Sequence, residues 1–244
     1  MGRAWYNFRA MKKKAVFFDA GGTLLAPYPS VGEIYTSVAR KYGMHADAGL
    51  VEKRFQEEFS SRDGLASLNA HSNEKKEKEW WKSLVRAAFE KVTVLTRFDE
   101  YFDELYDLFG RPDPWRLYPE VPEVLEGLRA RGIVLGIVSN WDSRLHSLCR
   151  AMGLERYFDF ILASAVVGSA KPDRGIFEKA LSLANVHPSE AVHVGDSVDD
   201  DWAGACAANI DAILINRTRR VLPKIKTIHS LTEILNYLEN GCPE

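Results

Sequence analysis

The chain has 244 residues, 46% of them hydrophobic and 27% charged, with a formal net charge of −2. That is the composition of a soluble globular protein with a substantial core and one or two domains. Near-neutral charge gives no footprint for nucleic acid or an anionic membrane surface, and no apolar stretch approaches the ~18 residues of a membrane span.

The first ten residues, Met1 to Ala10, lack the apolar core of a secretory signal and are set apart as an N-terminal extension, with Met11 an alternative start. Then comes an apolar run that stops against a glycine turn, Lys14-Ala15-Val16-Phe17-Phe18-Asp19-Ala20-Gly21-Gly22-Thr23-Leu24. Such a run predicts a strand buried on both faces, with Asp19 at its carboxyl end, the end where open parallel sheets bind ligands. In isolation the aspartate could equally cap the turn.

Residues 27–112 show helical spacing throughout and no clear strand. Ile34, Val38 and Tyr42 share one face, Phe55 and Phe59 another, Trp81, Leu84, Val85 and Phe89 a third, and Tyr101, Phe102, Leu105 and Leu108 a fourth. An all-helical block of that size predicts a small bundle set over the sheet. The charged run Glu74-Lys75-Lys76-Glu77-Lys78-Glu79 predicts a solvated first turn and linker. Trp80 and Trp81 fit either helix packing or a substrate cleft.

From Asp113 onward, strands alternate with helices. Pro119 and Pro122 open a helix bearing Val124, Leu125 and Leu128, and Ile133–Val138 forms the next strand, ending in Ser139-Asn140. A helix over about Ser143–Met152, a short strand Phe160–Ala163 and a helix started by Pro172-Asp173 follow. Strands at Ala191–Val194, ending in Gly195-Asp196, and at Ala212–Ile215 complete the pattern. It predicts a parallel sheet covered by helices on both faces. The expected core is residues 11–26 with 113–244, interrupted by the helical block 27–112.

Four polar positions occupy comparable places in that layout: Asp19, Ser139-Asn140, Lys171 and Asp196. Each alone has a bland explanation, a helix cap or a helix start. Together they put carboxylates, a hydroxyl with free backbone amides and a cation around one crevice, a set suited to phosphate and a hard cation. Asp199, Asp200 and Asp201 extend the acidic group, balanced by a cation, by Lys171 or by solvent.

In these motifs the chain resembles the haloacid dehalogenase-like (HAD) hydrolase superfamily over nearly its whole length. Asp19-Ala20-Gly21-Gly22-Thr23 resembles its first motif, Ser139 the second, Lys171-Pro172 the third, and Gly195-Asp196 with Asp200 or Asp201 the fourth. Trp80-Trp81, Ser139-Asn140-Trp141-Asp142 and Ala170-Lys171-Pro172-Asp173 carry a narrower resemblance to one subgroup. The resemblance implies an α/β, Rossmann-like core with an inserted helical cap domain at 27–112. It also implies a cytoplasmic, magnesium-dependent phosphatase of a small phosphorylated substrate. Asp19 would form an aspartyl-phosphate. Asp19, the Gly21 carbonyl and Asp196 would hold magnesium, and Ser139 and the Asn140 amide the phosphate. Lys171 would balance charge, and Asp200 or Asp201 would support the metal waters or orient Lys171. The oligomeric state is not implied.

One position departs from the family pattern. Gly21 stands where phosphatases of this family carry a second aspartate that protonates the leaving group, help worth about 10²–10⁴-fold. Three readings stay open: a phosphatase slowed, selective for good leaving groups, or borrowing an acid from the cap; a dehalogenase- or phosphonatase-type hydrolase; and a fold kept for binding or regulation. Lys41 and Lys53 are available as the cap lysine of a phosphonatase. His193, inside a strand, is expected to be a satisfied core histidine. Arg217, Arg219, Arg220, Lys224 and Lys226 are expected in a solvated loop, and Cys206 buried against the sheet. Cys149, Cys206 and Cys242 are too widely spaced for a disulfide framework or zinc site, as in a reducing cytosol.

Overall fold

The structure, a computed structural model, describes residues 13–62, 64, 72–219, 222 and 224–240. The extension at 1–10, Arg220 and Cys242 lie outside that set. The chain begins with β1 (Ala15–Phe18) and β2 (Leu25–Pro27), then four helices, α1 (Val31–Arg40), α2 (Ala48–Ser61), α3 (Glu74–Glu90) and α4 (Phe98–Phe109). It continues through β3 (Trp115–Leu117), α5 (Val121–Ala130), β4 (Val134–Ser139), α6 (Leu145–Ala151), β5 (Phe160–Ala163), α7 (Ser164–Val167) and α8 (Arg174–Ala184). The last part is β6 (Ala191–Gly195), a π-helical turn over Val198–Ala203, α9 (Gly204–Ala207), β7 (Asp211–Ile215), β8 (Thr227–Ile228) and α10 (Glu233–Asn240).

Six parallel strands form one sheet in the order β5-β4-β1-β6-β7-β8, an α/β, Rossmann-like arrangement. β1 shows why both faces are covered. Val16 and Phe18 join one apolar cluster with α5, α6 and α10, while Ala15 and Phe17 join the opposite one with α8 and α9. Successive side chains on a strand point to opposite faces, so a continuous apolar run needs partners on both. β8 was not expected; two residues carry no period. Nor was the antiparallel pair β2–β3, which joins the two chain segments flanking the helices.

The four helices bury a separate cluster that includes Tyr35, Val85, Phe89, Tyr101 and Phe102. Each fully buried side chain of this kind contributes about 1.5–3 kcal/mol. Ser30, Asp47 and Asn73 cap α1, α2 and α3 by accepting from the backbone amides of Glu33, Leu50 and Lys76. Such a cap is worth about 1 kcal/mol.

The helices meet the sheet through the loop just beyond β4. Trp81 Nε1 donates to Asp142 Oδ2 at 2.7 Å, and Arg144 donates to the Tyr106 carbonyl at 2.9 Å. Ser143 donates from its amide (3.2 Å) and hydroxyl (2.6 Å) to Glu77 Oε2. Glu77 is only 1% exposed, which corrects the expectation of a wholly solvated charged run. Helical periodicity turns this one residue of the run toward the sheet. Replacing Glu77 with Ala removes the acceptor of both Ser143 donors and of the Ser72 hydroxyl and is expected to lower unfolding free energy by about 1–3 kcal/mol. An unchanged denaturant midpoint would show that this junction contributes nothing.

Candidate active site

Strand register brings the site together. Phe18 of β1 lies opposite Ile137 of β4 and Val194 of β6. The residues just beyond these pairs, Asp19, Ser139 and Asp196, therefore emerge side by side at the carboxyl edge. The Asp19 amide donates to the Val194 carbonyl at 2.9 Å, which anchors it there. Carboxylate oxygens of Asp19, Asp196 and Asp201 lie within 4.8 Å of one another.

Lys171 arrives from the loop before α8 and is 2% exposed. Its Nζ donates to Asp19 Oδ1 at 2.7 Å and to Asp201 Oδ1 at 2.5 Å. Ser139 Oγ also donates to Asp19 Oδ1, at 2.9 Å. The Asn140 side chain does something the sequence did not suggest. Its Nδ2 donates to the Lys171 carbonyl and its Oδ1 accepts from the Lys171 amide, both at 2.8 Å. It clamps the lysine's backbone at the cavity edge.

The acidic run separates into distinct roles. Asp201 is buried and also accepts from the Ser197 amide at 3.0 Å. Its Oδ1 lies 2.8 Å from His193 Nε2. His193 was expected to be satisfied; it holds Asp201 with Nε2 while Nδ1 finds no partner among the described residues. Asp200 is half-buried and lines the cavity. Asp199 is exposed. Gly195 makes the packing possible, because a Cβ there would fall 2.0–2.4 Å from the Asp201 carboxylate atoms. At Gly22, φ is +74° and a Cβ would fall 2.2 Å from Asp196 Oδ2.

Burial works against Asp201's charge, but Lys171 and then His193 hold its carboxyl well below the usual range. Burial likewise opposes the Lys171 ammonium, and Asp19 and Asp201 override it, raising its pKa. Burial raises Asp19, with Lys171 opposing and Asp201 adding. Asp196 opens onto the cavity but lies deep within it; desolvation, then the charges of Asp19 and Asp201, push it up to about 7. One ammonium is thus set among three crowded carboxyl groups and pairs with two of them, leaving the oxygens of Asp196 without a cation partner among the described residues. That donor set fits a magnesium ion, which takes a few carboxylate oxygens and keeps several waters.

A cavity of about 960 Å³ opens above these residues and runs up between the helices. Gly21 lies on its floor beneath an indole ring: a Cβ at Gly21 would sit 3.3 Å from Trp141 Cζ3. The ring covers the place where a longer residue would extend.

Three features escaped the sequence. Arg217, expected in a solvated loop, donates to the Gly22 carbonyl (3.2 Å) and the Thr23 carbonyl (2.7 Å) and pairs with Glu120 (2.7 Å). It braces the turn after Asp19, and its place beyond the carboxyl end of β7 was the available signal. Arg144 lines the cavity and pairs with the buried Asp142 (2.6 Å), both signalled only by their nearness to Ser139. Cys206, expected to be buried, is exposed on the short helix α9. Substituting Gly195 with Ala is expected to force Asp201 off Lys171 and to destabilise the fold by on the order of 3 kcal/mol. A melting temperature equal to the parent's would contradict that packing.

Comparison with known proteins agrees with this geometry. A family model for haloacid dehalogenase-like hydrolases matches residues 13–208. The mouse haloacid dehalogenase-like hydrolase domain-containing protein 3 is 32% identical over 94% of this chain and 95% of its own length. A crystal structure of a HAD phosphatase from Thermococcus onnurineus has a TM-score of 0.65 at 27% identity, covering 92% of this chain and 97% of its own. A 2-haloacid dehalogenase from Pseudomonas syringae pv. Tomato also has a TM-score of 0.65, at 25% identity, covering 94% of this chain and all of its own, 100%. The order of the four motifs, the parallel sheet and these likenesses agree: the chain belongs to the haloacid dehalogenase-like hydrolase family.

Proposed function

We propose that the protein is a magnesium-dependent phosphatase of small phosphate esters that works through an aspartyl-phosphate on Asp19. The observation that carries this reading is the convergence of the Asp19, Asp196 and Asp201 carboxyl groups within 4.8 Å of one another, with a single lysine paired to two of them. A carbon–halogen hydrolase of this family needs no divalent cation and would gain nothing from that crowding. Gly21 and the likeness to a 2-haloacid dehalogenase favour the dehalogenase reading.

In the proposed mechanism, Asp19 attacks phosphorus in line and the P–O bond to the leaving group breaks. Ser139 Oγ and the Asn140 amide hold phosphoryl oxygens, and Lys171 offsets their charge. Asp19, the Gly21 carbonyl and Asp196 would hold magnesium, which when bound supplies further charge neutralisation at the phosphoryl group. Asp201 keeps Lys171 oriented, and Asp200 is left to support the metal's waters. Helices α1–α4 act as a cap domain over residues 27–112 and exclude bulk water during the first step. No nucleic acid or membrane partner enters this scheme; among the described residues no helix is long and apolar enough to cross a membrane.

Release of inorganic phosphate from acetyl phosphate should require magnesium and vanish in Asp19→Asn, and beryllium fluoride should bind the parent but not that variant. Unchanged release by Asp19→Asn would overturn the reading. A second outcome concerns the metal-free protein. A carboxyl whose folded pKa is raised stabilises the fold fully below its unfolded pKa and loses that contribution as pH rises through the folded value. With Asp196 at about 7, the metal-free melting temperature should fall as pH rises from the ordinary carboxylate range to about 7, and level off above it. Magnesium should then raise it more at about pH 8 than at about pH 5.5. Equal shifts at both would argue against a cation at these carboxylates.

A further inference from the structure

The upper cavity has a chemistry of its own. From the indole over Gly21, aromatic rings follow one another along the wall. Trp141 lies 5.2 Å from Trp115, Trp115 5.6 Å from Phe109, and Phe109 5.6 Å from Tyr35, centroid to centroid. Tyr35 lies 5.6 Å from Phe55, and Phe55 5.7 Å from Phe59. All six residues line the same cavity as Asp19. The wall therefore runs continuously from the reacting carboxylate into the helical insert.

Charge along that wall is already spent within the protein. Among the described residues lining it, the cation away from the acidic floor is Arg144. Its guanidinium is paired with the buried Asp142 through Nη2 (2.6 Å) and Nε (3.1 Å) and lies 3.9 Å from the Tyr106 ring centroid. A second phosphate or a carboxylate on the substrate would find no unpaired cation there among the described residues. Along the run of rings a sugar would meet aromatic carbon, which offers its hydroxyls no hydrogen-bond partners, at a cost.

The floor points the same way through a separate observation. With Gly21 beneath Trp141, the leaving oxygen has no carboxyl group at that position to protonate it. A leaving group that departs readily as an anion does not need one. Phenolic oxygens meet that condition; the alkoxides of sugars and glycerol do not.

We propose that the substrate is an aryl phosphate, its flat apolar leaving group stacked in the aromatic chamber and expelled as an aryloxide without a general acid from the first motif. The proposal rests on the phosphatase reading and narrows it to one substrate class. Asp19 forms a bond to phosphorus as the P–O(aryl) bond breaks, and the electron pair leaves on the aryl oxygen, which takes its proton from water. A second water then attacks phosphorus, restoring the Asp19 carboxylate and releasing inorganic phosphate and a proton. Trp141 and Phe55 act as specificity-determining residues, one over the reacting end and one in the insert.

The test compares acetyl phosphate, phenyl phosphate, 2-naphthyl phosphate, glycerol phosphate and a hexose phosphate on the magnesium-loaded full chain. Phenyl and naphthyl leaving groups have similar acidity and differ in the area they can stack. Values of kcat/KM for the aryl esters should exceed those for glycerol and hexose phosphate by about 100-fold or more, the scale of the help an absent acid withholds. Naphthyl should exceed phenyl by about three- to tenfold, as expected for an added aromatic contact. Binding gives a readout without turnover: naphthylmethylphosphonate should bind about tenfold more tightly than methylphosphonate, and Phe55→Leu should erase most of that difference. Phe55→Leu is a mild replacement, and a melting temperature near the parent's confirms that it folds. Turnover of acetyl phosphate without preference for aryl over hexose phosphate overturns this inference and leaves the phosphatase reading standing. Equal binding of the two phosphonates also overturns it. No phosphate release from any ester overturns both.

Discussion

A buried ammonium shared by two carboxylates is the constraint around which this molecule is arranged. Lys171 cannot sit at 2% exposure without Asp19 and Asp201, and neither carboxylate fits its place without the lysine. Removing one partner of such a group leaves an unpaired buried charge, which is far more costly than the pair is stabilising. The groups come from four places: the end of β1, the loop before α8, the π-helical turn after β6, and β6 itself through His193. Every element that could drift is tied back to this point. Asn140 clamps the backbone of Lys171, the Ser197 amide holds Asp201, and Arg217 braces the turn after Asp19.

The loop that follows β4 serves two ends of the molecule at once. Ser139 touches Asp19, and only three to five residues on, Asp142, Ser143 and Arg144 hold Trp81, Glu77 and the Tyr106 carbonyl of the helical insert. A shift of the insert is therefore felt beside Asp19, through a short stretch of backbone and a few charged hydrogen bonds. The coupling is local and built from packed groups with alternative partners in water.

Gly21 ties the chemistry to the shape of the cavity. At that position a glycine costs a phosphatase its usual proton donor, and the space it frees lies under Trp141. Trp141 in turn begins the run of rings that leads upward. Loss of an acid and gain of an aromatic surface are thus neighbouring consequences of the same local sequence.

Much of this was legible in the residues alone. Strongly periodic or continuous apolar runs marked the five longer strands and the four helices of the insert, because burial on one or two faces imposes a period on the side chains. The motif residues Asp19, Ser139 and Asp196 were visible because each stands at the end of such a run, where backbone geometry and not distant packing sets its place, and Lys171 because it precedes the proline that starts a helix. β8 and the β2–β3 pair were not, since two or three residues carry no periodicity. The sequence by itself determined the parallel sheet, the order of the motifs along the chain and the absence of an aspartate at 21. Only the tertiary structure decided that Asp201 and not Asp200 orients Lys171, that Glu77 is buried, that Arg217 is a brace, and that Trp141 covers Gly21. Those outcomes depend on which side chains meet across elements far apart in the chain, and a pairing of that kind leaves no local pattern to read.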